Sequence, residues 1–467
     1  MYWVIRSFFL FLALVSILQA KSYSPSNERP PAFPREFRAA WIACVYNIDW
    51  PSKSGLSQSA QKAELIAMLN KAQSLNLNAV IFQVRPNADA VYKSRLEPWS
   101  HWLSGTMGKS PGYDPLSFCI QQAHARGIEV HAWFNPFRAL PNKTLKTSRY
   151  HVSRTHPQHV KVYKNYKWMN PASSFSQQRA IDVILDVVRR YDVDGVHIDD
   201  YFYPYPSIVN GRPSPNFPDG KSNAQRRAYV NSFVKNMYTS IKANKPWVRV
   251  GISPFGIWKP GVPSGIEAGI DAYDHLCADS RKWLRNGWCD YLSPQLYWRI
   301  SPEKQSFTKL LSWWRQQGSR PVWPGIATAR INSKDDPGRP ASEILNQLGL
   351  SRSIGRNWAG ALHWSMKSLM QNRDGISDKL RRGAYSTAAL VPPMPWVSKA
   401  TPPMPSYSAK NSGSQTKISI SRSTVKGNRF AIQARYGTQW VSITSSSQRV
   451  ITIKGSPDAI AVTAIDR

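Results

Sequence analysis

Short apolar runs alternate with amphipathic stretches from Phe37 to Trp364, and this alternation restricts the fold more than any other feature of the chain. The strand-like runs span 37–43, 79–84, 128–134, 195–199, 248–253, 291–297, 322–326 and 360–364. Between them, apolar residues recur at three- and four-residue spacing. Leu65, Met68, Leu69, Ala72 and Leu75 show it, and it marks a helix with one buried face. Helices are predicted over 59–75, 115–126, 176–191, 223–243, 280–286, 307–317 and 342–351. Strands separated by helices cannot pair as hairpins and align in parallel. Eight such units predict an α/β fold of the (β/α)8 TIM-barrel type. The long connections 85–114, 135–175 and 200–222 all follow strands, so they gather on the barrel face where sites form.

The flanks read differently. Arg6 followed by the apolar run 7–18 and a small residue at Ala20 has the layout of an export signal over 1–20, followed by a Pro- and Ser-rich leader over 21–34. The barrel is assigned to 35–390. Six prolines in 391–406 predict a stiff linker. Beyond it, 417–421, 429–435, 440–442, 450–454 and 459–465 alternate like strands, so 407–467 is expected to form a small β-sandwich. An exported protein of the periplasm or cell envelope is expected, as a monomer.

Lys and Arg outnumber Asp and Glu by 61 to 28, a formal charge of +33, which favours polyanionic partners. For an exported chain those are anionic envelope polymers. Nucleic acid is not expected, since no nucleic-acid motif occurs. Cys44, Cys119, Cys277 and Cys289 form no CxxC pair and are expected to be free thiols, and no cofactor or metal is expected.

The strand ends carry the chemistry. Residues two apart on a strand share a face, so Gln83 with Arg85, His131 with Trp133, His197 with Asp199 and Gln295 with Tyr297 are expected to point together into the barrel. The fourth strand ends in two adjacent carboxylates, Asp199 and Asp200, followed by Tyr201 and further aromatics. Burying carboxylates is costly without partners, whereas glycoside hydrolysis uses a pair of them as acid and as nucleophile or base. Asp199 is expected to be the ionised member, held charged by a protonated His197, and Asp200 either the acid or a residue that orders His131 or Arg85. Asp89, Glu97 and Glu267 are alternatives for the acid. Gln83, Arg85, Asp89, His131, Trp133, Asn135, His197, Tyr201, Gln295, Tyr297, Trp298 and Trp364 are the candidate substrate-binding residues. Arg85 is expected to meet either a catalytic carboxylate or a substrate anion.

Six runs then resemble one family: PREFRAAWIACVYNIDWPS (34–52), FQVRPNADAVYKSRLEPWSHWLSG (82–105), PGYDPLSFCIQQAHARGIEVHAWFNPFR (111–138), DGVHIDDYFYPYP (194–206), GISPFGIWKP (251–260) and WCDYLSPQLYW (288–298). In this order they are similar to glycosyl-hydrolase-like family 10, which includes a divisome-localised glycosidase of denuded peptidoglycan strands. The resemblance implies a barrel hydrolase acting on glycan strands, peptide-free ones in particular, and a fibronectin-type-III-like C-terminal module. A fainter similarity of DGVHID (194–199) to the fourth strand of α-amylase-like enzymes implies Asp199 as nucleophile, although His197 stands where those enzymes carry Arg and no Glu follows the fifth strand. The other reading is a non-catalytic glycan-binding barrel of the envelope.

Overall fold

Residues 22–355, 358–421 and 429–465 are described by the computed structural model, so the expected signal over 1–20 lies outside the described residues. Eight parallel strands follow one another: β1 (Phe37–Ile42), β2 (Ala79–Arg85), β3 (Glu129–Phe134), β4 (Gly195–Ile198), β5 (Arg249–Ile252), β6 (Tyr291–Leu292), β7 (Gly325–Ile326) and β8 (Gly360–His363). Each pairs with its sequence neighbour, and β1 also pairs with β8. Bridges from Leu292 to Val322 and from Gln295 to Gly325 join β6 to β7 and close the ring. The expected TIM barrel is present.

Strands β6 and β7 are shorter than the runs 291–297 and 322–326. Pro294 and Pro324 interrupt those runs and Pro321 precedes the second, and a proline has no N–H to give the ladder. Helices α1 (Gln58–Ser74), α2 (Pro115–His124), α3 (Ser174–Arg190), α4 (Asn223–Asn244), α5 (Ser280–Arg285), α6 (Phe307–Arg315) and α7 (Ala341–Gly355) occupy the predicted places, and α8 (Ile376–Arg382) completes the outer layer. Their starts are specified locally. Ser57, Asp114, Ser173, Ser222 and Ser306 each accept an amide of the first turn, and Ser222 with Gln225 forms a full capping box.

Two apolar layers hold the barrel. One lies between strands and helices, with Leu65, Leu69, Val130, Val187, Phe233 and Trp314 among its members. The other fills the barrel itself with Phe37, Trp41, Ile81, Trp133, Tyr291, Trp323 and Leu362. Glycines make room for the largest of these. A Cβ on Gly251 would lie 2.0 Å from the Tyr291 ring, and one on Gly195 would lie 2.6 Å from His131. Neither strand position tolerates a side chain.

Residues 391–406 contain neither helix nor strand. After them come β9 (Tyr407–Ser412), β10 (Gln415–Ile420), β11 (Arg429–Tyr436), β12 (Gln439–Ser446), β13 (Val450–Lys454) and β14 (Ala459–Ile465). They form two three-stranded antiparallel sheets, β9-β10-β13 and β12-β11-β14, around Ile418, Phe430, Ile432, Ile453 and Val462. Strand β9 was not among the expected strands because its buried positions are only Ala409 and Asn411, too weak an alternation to read. This β unit sits under the barrel. Arg429 pairs with Asp194 at 2.7 Å and Glu129 at 3.3 Å, and Ser447 donates to the His124 carbonyl. All four cysteines are free and buried, and among the described residues no helix is long and apolar enough to cross a membrane.

Candidate active site

At the mouth of the barrel, Asp199 and Asp200 are both nearly fully buried. Asp199 sits at the end of β4, in step with the inward positions Gly195 and His197. Its Oδ2 accepts Trp133 Nε1 at 3.0 Å, Asn135 Nδ2 lies 3.3 and 3.4 Å from its two oxygens, and the Tyr201 amide donates to Oδ1 at 3.3 Å. The Asn135 amide is oriented by its other end, because its Oδ1 accepts the Arg138 backbone N–H at 2.9 Å. Asp200 turns the other way, to the hydroxyl of Tyr205 and to Gln295. Burial and then the neighbouring Asp200 push the Asp199 carboxyl up to about 7, and burial also raises that of Asp200.

Where two such raised carboxyls hold a single proton, the partners decide which of them carries it. Every group bonded to Asp199 is an N–H, which cannot accept, so a proton there would lack an acceptor. The Tyr205 hydroxyl can turn and accept from a protonated Asp200. Asp199 is therefore the ionised member and Asp200 the proton holder. Tyr297, half-buried with its acidity suppressed by burial and then by Asp200, borders the same space. Trp364 contacts Trp133 edge-on at 6.2 Å, and Trp298 packs against Phe255.

Other expected site residues lie deeper or elsewhere. His131 and His197 are buried in the middle of the barrel, both bonded to the Tyr291 hydroxyl at 2.9 and 3.0 Å. The direction of this chain follows from Trp41. Its indole N–H can only donate, and it points at His197 Nε2, so Nδ1–H of His197 donates to Tyr291. Tyr291 then donates to His131 Nδ1, and His131 Nε2–H to Glu129 at 3.2 Å. His197 stays neutral, its pKa driven well below the usual value by burial and then His131. The expected charge support of Asp199 by a protonated His197 is thereby overturned, because His197 spends both nitrogens on Tyr291, Ser253 and Trp41.

Arg85 is likewise spoken for. It forms a bidentate pair with Glu97 at 2.8 and 2.5 Å and donates to the carbonyls of Asn135 and Pro136. It braces the loops after β2 and β3, and Glu97 is removed as a candidate acid. Gln83 accepts the amides of Cys44 and Val45 and so shapes the loop after β1. Asp89 lies buried beside the Arg85–Glu97 pair, its carboxyl raised to about 7 by burial. Glu267 is exposed and paired with Lys304. A cavity of about 170 Å³ lined by Arg35, Glu129, Arg249 and Arg429 lies under the barrel, far from this chemistry. Glu129 meets Arg249 and Arg429 there, so the space is a seam between the barrel and the β unit.

Two residues of the mouth were not expected from the sequence: Tyr205 and Arg138. Tyr205 lies in a turn where strand alternation no longer applies, and Tyr203 points away to Asp219. Arg138 closes the run 111–138 that carries the family resemblance, and its guanidinium lies 4.0 Å from the Tyr201 ring centre.

The profile of the family "Glycosyl hydrolase-like 10" matches residues 36–338, which covers the barrel through β7 and its following loop. The chain belongs to this family. It is 42% identical over 393 residues to the glycosyl hydrolase YngK of Bacillus subtilis (strain 168), spanning 79% of this chain and 76% of that protein. It is 34% identical over 370 residues to the glycosyl hydrolase DigH of Escherichia coli (strain K12), covering 71% and 84% of the two. The glycoside hydrolase domain of PgaB (BpsB) from Bordetella bronchiseptica superposes with a TM-score of 0.49 at 12% identity over 74% of this chain and 98% of that one, too loose a likeness to argue from. Like its relatives, this member of the glycosyl hydrolase-like 10 family is a glycosidase, and its barrel mouth holds the paired carboxylates such chemistry uses.

Proposed function

We propose that the protein is exported and hydrolyses the glycan strands of bacterial peptidoglycan, peptide-free strands in particular, with Asp199 and Asp200 as the reacting carboxylates. The observation that carries the reading is the unlike bonding of two adjacent buried acids. N–H donors alone surround Asp199, whereas a hydroxyl able to accept faces Asp200. Asp200 gives its proton to the leaving glycosidic oxygen, and Asp199 acts as nucleophile or as base for a water. Trp133, Tyr201, Tyr297 and Trp364 offer aromatic faces to sugar rings, and Gln295 a polar edge. The net charge of +33 favours retention among anionic polymers of the envelope.

Mass spectrometry of products from peptide-free glycan strands tests the proposal. New reducing ends are expected with the parent protein and not with Asp199→Asn. Strands left intact by the parent after long incubation would refute cleavage and leave a glycan-binding barrel.

A further inference from the structure

Arg138 stands apart from every other buried arginine. Arg38, Arg85, Arg226, Arg249, Arg339 and Arg429 are buried to a similar degree, and each is ion-paired with a carboxylate. Arg138 keeps only 7% of its surface and forms no ion pair among the described residues. Its Nε is buried with no acceptor. The guanidinium rests on Tyr201, and its backbone is tied to the same Asn135 that holds Asp199. Against burial, which raises all three, its charge lowers the pKa values of Asp199, Asp200 and Tyr46 alike. Tyr46 is 55% exposed and packs on Trp102 with ring centres 5.1 Å apart, an aromatic platform within the same electrostatic reach. Leaving a guanidinium out of water without an anion is unfavourable, and its planar fork matches a carboxylate.

We propose that Arg138 binds the free carboxylate of a muramic-acid-type sugar, a pyranose bearing a lactyl ether, and thereby selects peptide-free over peptide-bearing strands. The inference rests on the peptidoglycan reading above. An attached peptide turns the lactyl carboxylate into an uncharged amide, which removes the anion and adds bulk at the same point. Selection for peptide-free strands then needs no separate peptide sensor.

One batch of strands in three forms tests this with the full chain: peptide-free, carboxyl-reduced to the alcohol, and peptide-bearing. The parent protein is expected to favour the carboxylate over the alcohol by roughly ten- to a hundredfold in kcat/KM, the worth of one charged hydrogen-bonded contact. In Arg138→Gln that ratio is expected to fall to about one, mainly through KM, with Arg138→Lys in between. A parent indifferent to carboxyl reduction, or a ratio unchanged in Arg138→Gln, would overturn the inference. Should Arg138→Gln fail to melt as a folded protein, the Arg138→Lys ratio decides. If the parent cuts none of the three, the peptidoglycan-hydrolase reading falls, and equilibrium binding of peptide-free against reduced strands to parent and variant still decides the role of Arg138 by the same ratio.

Discussion

One barrel encloses two buried polar networks, and they are finished to different degrees. In the middle, Trp41, His197, Tyr291, His131 and Glu129 form a chain in which each donor meets an acceptor. Its end at Glu129 is matched again. Burial alone would raise that carboxyl, but His131, Arg249 and Arg429 together hold it below the usual range. At the mouth, burial raises the carboxyls of both Asp199 and Asp200, and among the described residues Arg138 faces no carboxylate within ion-pairing distance. The fully matched network holds a barrel in shape. The unfinished one carries electrostatic imbalance that a ligand can relieve, which favours it as the candidate site.

The contrast can be broken most directly at Asp199. Asp199→Asn is expected to lower the release of reducing ends at least about a thousandfold while strand binding persists. A variant keeping a tenth of the parent rate would remove the mouth network from the chemistry. Asp200→Asn is expected to cost about a hundred- to a thousandfold and to abolish the alkaline limb of the kcat/KM profile, since that limb reports loss of the acid's proton.

Stability against pH separates the networks in another way. Burial raises both mouth carboxyls above their ordinary 3.8, that of Asp199 to about 7, so the folded pair binds its proton more tightly than the unfolded chain does. The stability it contributes is complete below about 4 and is lost as the pH rises towards about 7. Denaturant unfolding of the parent should weaken over that window by about 1–4 kcal/mol, and Asp199→Asn should flatten the slope. An unchanged slope would mean that the pair titrates normally.

In the matched network the effect should appear in stability alone. Tyr291→Phe leaves both histidines short of a partner and should cost about 2 kcal/mol in unfolding, with turnover per folded molecule within about threefold of the parent. A larger loss of turnover would join the two networks into one. The smallest effect is expected at the seam with the β unit. Arg429→Gln should expose 391–406 to proteolysis at a lower temperature, by about 1 kcal/mol of local stability, with strand cleavage unaltered.

Much of this was legible beforehand. The barrel strands and seven of the helices fall where the apolar spacing puts them, because alternation and three-to-four spacing follow from local backbone geometry. The inward positions could be read the same way, so Trp133, Asp199 and Gln295 could be nominated. Depth could not. His131 and Trp133 share a face of β3, yet one bonds to Tyr291 in the core and the other to Asp199 at the mouth. Nor could the loops be read, where Tyr205 turns to Asp200 and Tyr203 to Asp219.

The sequence by itself determined the alternation, the inward faces and the family, since each is written in neighbouring residues. Only the tertiary structure decided who pairs with whom. Glu97 claims Arg85 from a loop twelve residues away, Tyr291 claims both histidines from across the barrel, and Arg138 is left with no ion-pair partner among the described residues. Such pairings depend on the paths of loops and on which strands close the ring. That is why the same residue types, equally buried, became scaffold at one height and the candidate site at another.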